Sequence, residues 1–391
     1  MNFIFKNPTF SFELLRTLGY APYGGSDISE VLSTGYQIKE GDFESWYTEW
    51  HRLADKVFLR ARDFEKDGER LSASQNYFKA SNYYRTAEFF LHGNLKDERI
   101  LGSWSKSRDA FRKALSLSNK NFEIVSIPYE NTGMPAYFYR VDEKARPTLI
   151  IHGGFDSTGE ELYFQVVVDA LARGYNCLTF EGPGQGGMIR EKKIPFRPDW
   201  ENVVGKVIDY LETREDVLHG KLVLMGMSFG GLLAPRAAAF DHRLAACIAD
   251  DGLFSFRFED AFKAHRDGNL DYVAIEKILT NLMKERVNVR WAIENGLFTF
   301  GAKSIEELFK KTRAYTLENV VEKIQCPVLV CAAENDLFFK GQPELLFKRL
   351  LSSKTLMKFG KAENAEEHCH MGALTYFNQK IFAWLNSVLH C

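Results

Sequence analysis

Apolar and polar positions follow a helical period over the first third of the chain. Between Glu44 and Phe64, charged residues separate Trp46, Trp50, Leu53, Val57 and Leu59, and Ala73–His92 carries Phe78, Tyr83, Tyr84, Phe89 and Phe90 in the same way. Spacings of three and four place such residues on one helix face, which predicts packed helices over residues 1–120. No fixed repeat period links them. This N-terminal domain is expected to cap an active site or to form a dimer contact.

The pattern changes at Asn121. Phe122–Pro128 and Met134–Val141 read as strands around a turn at Asn131-Thr132-Gly133. Short, continuously apolar runs follow: Pro147–Ile151, Tyr175–Phe180, Leu222–Met225, a strand closing at Cys247–Asp250 and, last, Val328–Ala332. Helical patterns lie between them, from about Glu160 to Arg173 and from Trp200 to Arg214, and a closing helix runs from about Ala373 to Val388. Strands with no polar side, alternating with helices, predict an α/β domain over 121–391 with a mostly parallel sheet covered on both faces. Residues 252–320 break the alternation with helical, aromatic and charged sequence and read as a helical lid.

Composition changes this picture little. The chain of 391 residues, 45% hydrophobic and 26% charged, has room for a full core and a second unit. A net charge of −2 gives no reason to expect nucleic acid or an anionic membrane as partner. No run of about 18 apolar residues occurs, and the start MNFIFKNPTFSFELL has no signal-peptide pattern. The 32 phenylalanines suit an aromatic-lined pocket or, equally, a phenylalanine-rich core. Cys177, Cys247, Cys326, Cys331, Cys369 and Cys391 form no C-x-x-C pair; they read as buried thiols in a reducing, cytoplasmic setting. No metal and no cofactor is expected.

The candidate chemistry sits in Lys221–Gly231, KLVLMGMSFGG. An apolar strand runs into Gly226-Met227-Ser228-Phe229-Gly230 and then an alanine-rich helix. This G-x-S-x-G turn exposes a serine in a strained conformation, and its glycines let neighbouring backbone pass close by. A serine hydroxyl needs a base to take its proton, and the base needs an orienting acid. In this arrangement the acid follows a late strand and the histidine precedes the last helix, in the order serine, acid, histidine. Val328–Ala333 is followed by Glu334-Asn335-Asp336, and Glu366-Glu367-His368-Cys369-His370 precedes the closing helix. Asp336 is chosen over Glu334; His368 and His370 stay open on spacing alone. The Phe229 amide supplies one oxyanion donor, and Gly154 or Phe155, after His152-Gly153, the second. His152 itself reads as a turn residue. Asp250 and Asp251, at a strand end, suit a contact to substrate or histidine, or a cap on the next helix, and the cap is preferred. Glu181, opening Glu181–Gly186, is a further possible substrate contact.

GGFDSTGEE (153–161), EGPGQG (181–186), RPDWE (197–201), GMSFGGLLAPRAAAFDHRLAACIADDG (226–252), ENDLFFKGQPE (334–344) and AEEHCHMGA (365–373) together resemble one group of α/β-hydrolases. It includes FrsA-like esterases, 2,6-dihydroxypseudooxynicotine hydrolase and the fungal heptaketide hydrolases. The resemblance covers nearly the whole chain, helical N-terminal region included. It implies Ser228 as nucleophile, Asp336 as acid and His368 as base, an active site between the N-terminal helices and the sheet domain, and a homodimer. Several members of the group cleave carbon–carbon bonds of β-dicarbonyl compounds. Where the group often has Asp-Gly-Pro-Gly-Gln-Gly, this chain has Glu181. The expected activity is hydrolysis of a small carbonyl substrate, a β-dicarbonyl, polyketide-like or aryl ketone. Carboxylester hydrolysis, acyl transfer or cyclisation, and non-catalytic ligand binding are the alternatives.

Overall fold

The computed structural model describes residues 3–261 and 271–389. Part of the expected lid, residues 262–270, and Cys391 lie outside the described residues.

Five helices come first: α1 (Pro8–Gly19), α2 (Ile28–Gly35), α3 (Phe43–Lys66), α4 (Arg70–Glu88) and α5 (Glu98–Leu117). Asn7 starts α1 by accepting the Thr9 and Phe10 amides at 3.0 and 3.2 Å, with Pro8 in the first turn, where its missing N–H costs nothing. Asp42 and Asp97 cap α3 and α5 in the same manner. On α3 the buried stripe is Trp46, Trp50, Ala54, Val57 and Ala61. Leu59, expected on that face, is 56% exposed, because it lies two residues past Val57 and so faces the opposite way.

Eight strands form one sheet in the order β1-β2-β4-β3-β5-β6-β7-β8. They are β1 (Asn121–Tyr129), β2 (Thr132–Arg140), β3 (Arg146–His152), β4 (Asn176–Phe180), β5 (Val217–Met227), β6 (Leu244–Asp250), β7 (Val328–Ala333) and β8 (Lys354–Phe359). The hairpin β1–β2 pairs antiparallel, β2 joins β4 antiparallel, and every pair from β4 through β8 is parallel. The interior strands are buried along nearly their whole length because helices cover both their faces. β8 extends the sheet beyond Val328–Ala332, which had read as the last strand. Its sequence KTLMKF is half-exposed and bears lysines, as befits a strand at the sheet edge.

The later helices are α6 (Val168–Ala172), α7 (Gly186–Arg190), α8 (Glu201–Glu212), α9 (Gly230–Ala238), α10 (Tyr272–Glu285), α11 (Val287–Thr299), α12 (Ile305–Thr312), α13 (Gln342–Arg349) and α14 (Leu374–Leu389). A wide π turn at Tyr163–Val167 precedes α6. Helices α10–α12 lie between β6 and β7, within the expected lid.

The chain passes from β3 to β4 on one side, then crosses back to place β5 on the other side of β3. Such a reversal leaves a crevice at the carboxyl ends of the two strands, where ligands bind in open α/β sheets. His152-Gly153-Gly154 leaves β3 at that point and Ser228 leaves β5, with His152 registered opposite Gly226.

Candidate active site

Ser228 has φ +59°, in the left-handed region that disfavours any side chain. The turn is closed on every side. A Cβ on Gly226 would lie 2.0 Å from the Gly230 carbonyl oxygen, and one on Gly231 would lie 2.1 Å from the Asp251 oxygen. The Ser228 amide donates to the Asp250 carbonyl and the Gly231 amide to the Ser228 carbonyl. Helix α9 then packs on β5 and β6.

The Ser228 hydroxyl lies 2.9 Å from Nε2 of His368, and Nδ1 of His368 lies 3.1 Å from Oδ2 of Asp336. Asp336 Oδ1 accepts the Phe338 and Phe339 amides at 2.7 and 3.1 Å, which fixes the carboxylate. Burial alone would raise the Asp336 carboxyl; the charge and hydrogen bond of His368, with the Phe338 amide, hold it well below the usual carboxylate range. Burial would likewise lower His368, yet Asp336 and the other groups around it hold the imidazole well above its usual value. Glu334 takes no part; it accepts the Lys361 amide at 3.0 Å. His370 turns away, with Nδ1 on the Ala365 carbonyl at 3.0 Å and Nε2 3.0 Å from Asp250.

A second carboxylate approaches the histidine loop from behind. Asp251 Oδ2 lies 3.0 Å from His368 Nδ1 and accepts the Cys369 amide at 3.0 Å. Burial, then the neighbouring Asp336 charge, raises Asp251 to about 6. The His368 imidazole is therefore positioned by two aspartates, one from β7's end and one from β6's.

Gly154 runs directly over the elbow: a Cβ there would sit 2.6 Å from the Phe229 amide nitrogen and 3.0 Å from Ser228 Cβ. Gln185 clamps this segment, its side-chain amide donating to the Gly153 carbonyl at 2.7 Å and the Gly154 carbonyl at 3.3 Å. The Phe155 carbonyl accepts from Asn295 at 3.0 Å, which ties the loop to the lid helix α11. His152 is fully buried. Its Nδ1 is 3.0 Å from the Gly153 carbonyl and its Nε2 accepts from Trp200 at 3.3 Å; burial pulls it down to about 4, so it is neutral.

Ser228 and His368 open into a cavity of about 560 Å³. Phe155, Phe256, Phe258, Phe338, Phe339 and Trp291 give it an aromatic wall. The Phe338 ring stands edge-on to His368 at 4.9 Å, and Phe89, at the end of α4, stacks on Trp291 at 5.0 Å. The N-terminal unit supplies Phe12, Glu13 and Arg16 of α1 to the lining. Arg16 spans from α1 to the sheet domain, bonding both oxygens of Glu161 at 2.9 and 2.8 Å and Asp156 at 2.6 Å.

Comparison with known proteins settles the family. The model of the alpha/beta hydrolase family matches residues 148–361. The chain belongs to the α/β-hydrolase family. It is 35% identical over 411 residues to the hydrolase LUC6 of Fusarium sp, covering 99% of this chain and 98% of that one. It is 33% identical over 414 residues to the 20-hydroxy-prefusarin hydrolase FUS2 of Gibberella moniliformis, with 99% and 98% covered. The crystal structure of the 2,6-dihydroxy-pseudo-oxynicotine hydrolase superposes with a TM-score of 0.75 at 24% identity, covering 95% of each chain, and so shares the fold.

Three expectations for this hydrolase change on the geometry. Asp250 and Asp251 neither line the cavity nor cap a helix, the preferred reading; of the alternatives it is the histidine contact that the structure has, both being fully buried against His370 and His368 where the histidine loop folds over the end of β6. Glu181 is also absent from the lining. It accepts the Gly159 and Gly187 amides at 2.9 and 2.7 Å and so ties the loop at Gly159 to the first turn of α7. Sequence reasoning missed Glu13, Arg16 and Gln185. The signal for the first two was an acid and a base three apart inside an otherwise uncharged helix.

Two buried sets have metal-ligating chemistry, Asp250 with Cys331 and His370, and Asp251 with His368 and Cys369. Their aspartates and histidines already pair with each other. Burial pushes the Cys331 thiol well up and the Cys369 thiol to about 12, and sulfur ligates metals as the thiolate. Among the described residues these sets read as carboxylate–imidazole pairs.

Proposed function

We propose that the protein is a serine hydrolase that cleaves a carbon–carbon bond of a β-dicarbonyl, polyketide-like or aryl ketone through an acyl-enzyme. The observation that carries this reading is the chain of contacts from the Ser228 hydroxyl through His368 to Asp336, opening into an aromatic cavity. His368 takes the Ser228 proton as Oγ attacks the carbonyl carbon. The Phe229 amide, with the Gly154 or Phe155 amide, receives the oxyanion. On collapse the bond to the α-carbon breaks, its electron pair leaves as an enolate, and His368 returns the proton to that carbon. Water, activated by the same histidine, then releases the acid and restores Ser228.

The names of LUC6 and FUS2 as hydrolases support hydrolysis, and the phenylalanine-rich wall suits an aryl or polyene substrate. The enclosing lid helices favour one second reading, transfer of the acyl group to an amine or alcohol from which water is kept away. A homodimer in the cytoplasm is part of the proposal, supported by the resemblance and the free thiols; sedimentation of the purified chain tests the dimer. Purified protein assayed on aryl esters and on β-diketones, with and without an added amine, separates the chemistries. The expected result is acid and ketone from the diketone, abolished in Ser228→Ala. Full diketone turnover by Ser228→Ala overturns the mechanism.

A further inference from the structure

We propose that Glu13 on α1 is a substrate-recognition residue that hydrogen-bonds an uncharged hydroxyl of the substrate outside the carbonyl unit attacked by Ser228. This rests on the serine reading above and adds a specificity to it.

Glu13 lines the same cavity as Ser228 and is almost wholly buried. It follows Phe12, whose ring lies 5.9 Å from the His368 ring, so α1 faces the reaction centre. The other charged groups at this wall are committed. Arg16 holds Glu161 and Asp156, and Arg85 reaches Asp156 at 3.2 Å and Glu161 at 3.4 Å. Glu13 is left over. Its Oε1 is a long 3.5 Å from Arg16, and its Oε2 lies 3.5 Å from Arg85 Nη1. Neither Glu13 Oε2 nor Arg85 Nη1 has a hydrogen-bond partner among the described residues. Buried polar atoms in native proteins are nearly always hydrogen-bonded, so a carboxyl oxygen held at a ligand cavity by an ion pair without a hydrogen bond is where a ligand atom completes the set.

Charge decides what kind of atom. Two guanidiniums, Arg16 and Arg85, face three carboxyls, Glu13, Asp156 and Glu161. Burial raises Glu13 to about 7 against the pull of both arginines, whereas the arginines hold Asp156 and Glu161 below their usual range despite burial. With Glu13 protonated the cluster is neutral. An anionic substrate group would find no surplus cation there and would face Asp156 and Glu161. A substrate hydroxyl suits either form of Glu13, accepting from the carboxyl or donating to the carboxylate, and costs no charge. The remaining charged lining groups, Arg257 and Asp260, stand at the more exposed side.

The test is a binding titration in the Ser228→Ala background, read by the fluorescence of Trp291 in the cavity wall. The probes are benzoylacetone, its para- and meta-hydroxy derivatives and its para-carboxy derivative. A hydroxy probe is expected to bind at least about tenfold more tightly than benzoylacetone, and the carboxy probe least tightly. Glu13→Ala removes the hydroxyl preference, and Glu13→Gln, which keeps a donor, retains it within about threefold. Glu13→Met repeats the comparison at full side-chain length if the alanine variant does not fold. A hydroxyl preference that is absent, or that survives Glu13→Ala or Glu13→Met, overturns the assignment. Weakening of all probes alike shows a structural role and overturns it as well. Fluorophosphonate labelling of wild-type Ser228 is run beside it: no label there defeats the serine reading, whereas label with an unaltered probe ratio defeats the Glu13 assignment alone.

Discussion

Gly154→Ala is the sharpest single perturbation of the proposed oxyanion site. The added Cβ would lie 2.6 Å from the Phe229 nitrogen, 2.8 Å from the Met227 oxygen and 3.0 Å from Ser228 Cβ. An ordinary carbon contact needs about 3.5 Å, so the two strand ends must part by nearly 1 Å. The elbow has no room to yield, since Gly226 and Gly230 are themselves packed against backbone. Parting them draws the Phe229 amide from the oxyanion position and stretches a bond of about 3 Å to nearly 4 Å, which is no longer a hydrogen bond. Loss of one such donor lowers kcat by about 100- to 1000-fold, about 3–4 kcal/mol of transition-state stabilisation. Overpacking costs the fold a further 1–3 kcal/mol or so, which a thermal melt reads directly. The assay is steady-state hydrolysis of an aryl ester and a β-diketone, with KM expected to stay within about threefold because the donor acts on the transition state. A folded Gly154→Ala enzyme within about fivefold of the wild-type kcat would refute this account of the oxyanion site.

Other outcomes follow from the same geometry. Ser228→Gly and Ser228→Ala are both expected to be inactive, but glycine relieves the positive φ, so denaturant unfolding should find it about 1 kcal/mol more stable than alanine. Asp336→Asn should cost about 10⁴ in kcat through the wrong histidine tautomer, and Asp251→Asn about tenfold or less. Because Asp336 holds His368 above its usual value, the acid limb of kcat/KM should move to lower pH in Asp336→Asn; an unmoved limb would show that another group sets it. His152 is neutral in the fold, with its value lowered from 6.5 to about 4. The unfolded chain therefore takes up the proton first, and the stability His152 contributes above pH 6.5 is lost as pH falls towards 4, about 3 kcal/mol in all. Urea unfolding of wild type and His152→Gln across that window should show a shallower decline in the variant.

Much of this was legible in the chain. Continuous apolar runs marked β3, β5, β6 and β7 because interior parallel strands have no polar face. The elbow and the acid and histidine loops each carry local signals, since turn chemistry is short-range. The rest depends on contacts between distant parts of the chain. Arg16 meets Glu161 across 145 positions, and no local pattern pairs them. Asp250 and Asp251 suited a helix cap better than a histidine contact because a strand end followed by aspartate often is a cap; the histidine loop, more than a hundred residues on, makes the contact with both carboxylates instead. β8 escaped notice because an edge strand has neither an unbroken apolar run nor a strict alternation. Leu59 shows the limit of apolar counting, as the small Ala54 and Ala61 fill the positions that a helical period assigns to the core.

The central claim, a covalent acyl-serine, is tested most directly by rapid-quench mass spectrometry during turnover of an aryl ester. The account predicts an acyl adduct on the peptide that contains Ser228, formed before product release and missing in Ser228→Ala. Turnover at the wild-type rate with no adduct on that peptide would contradict it.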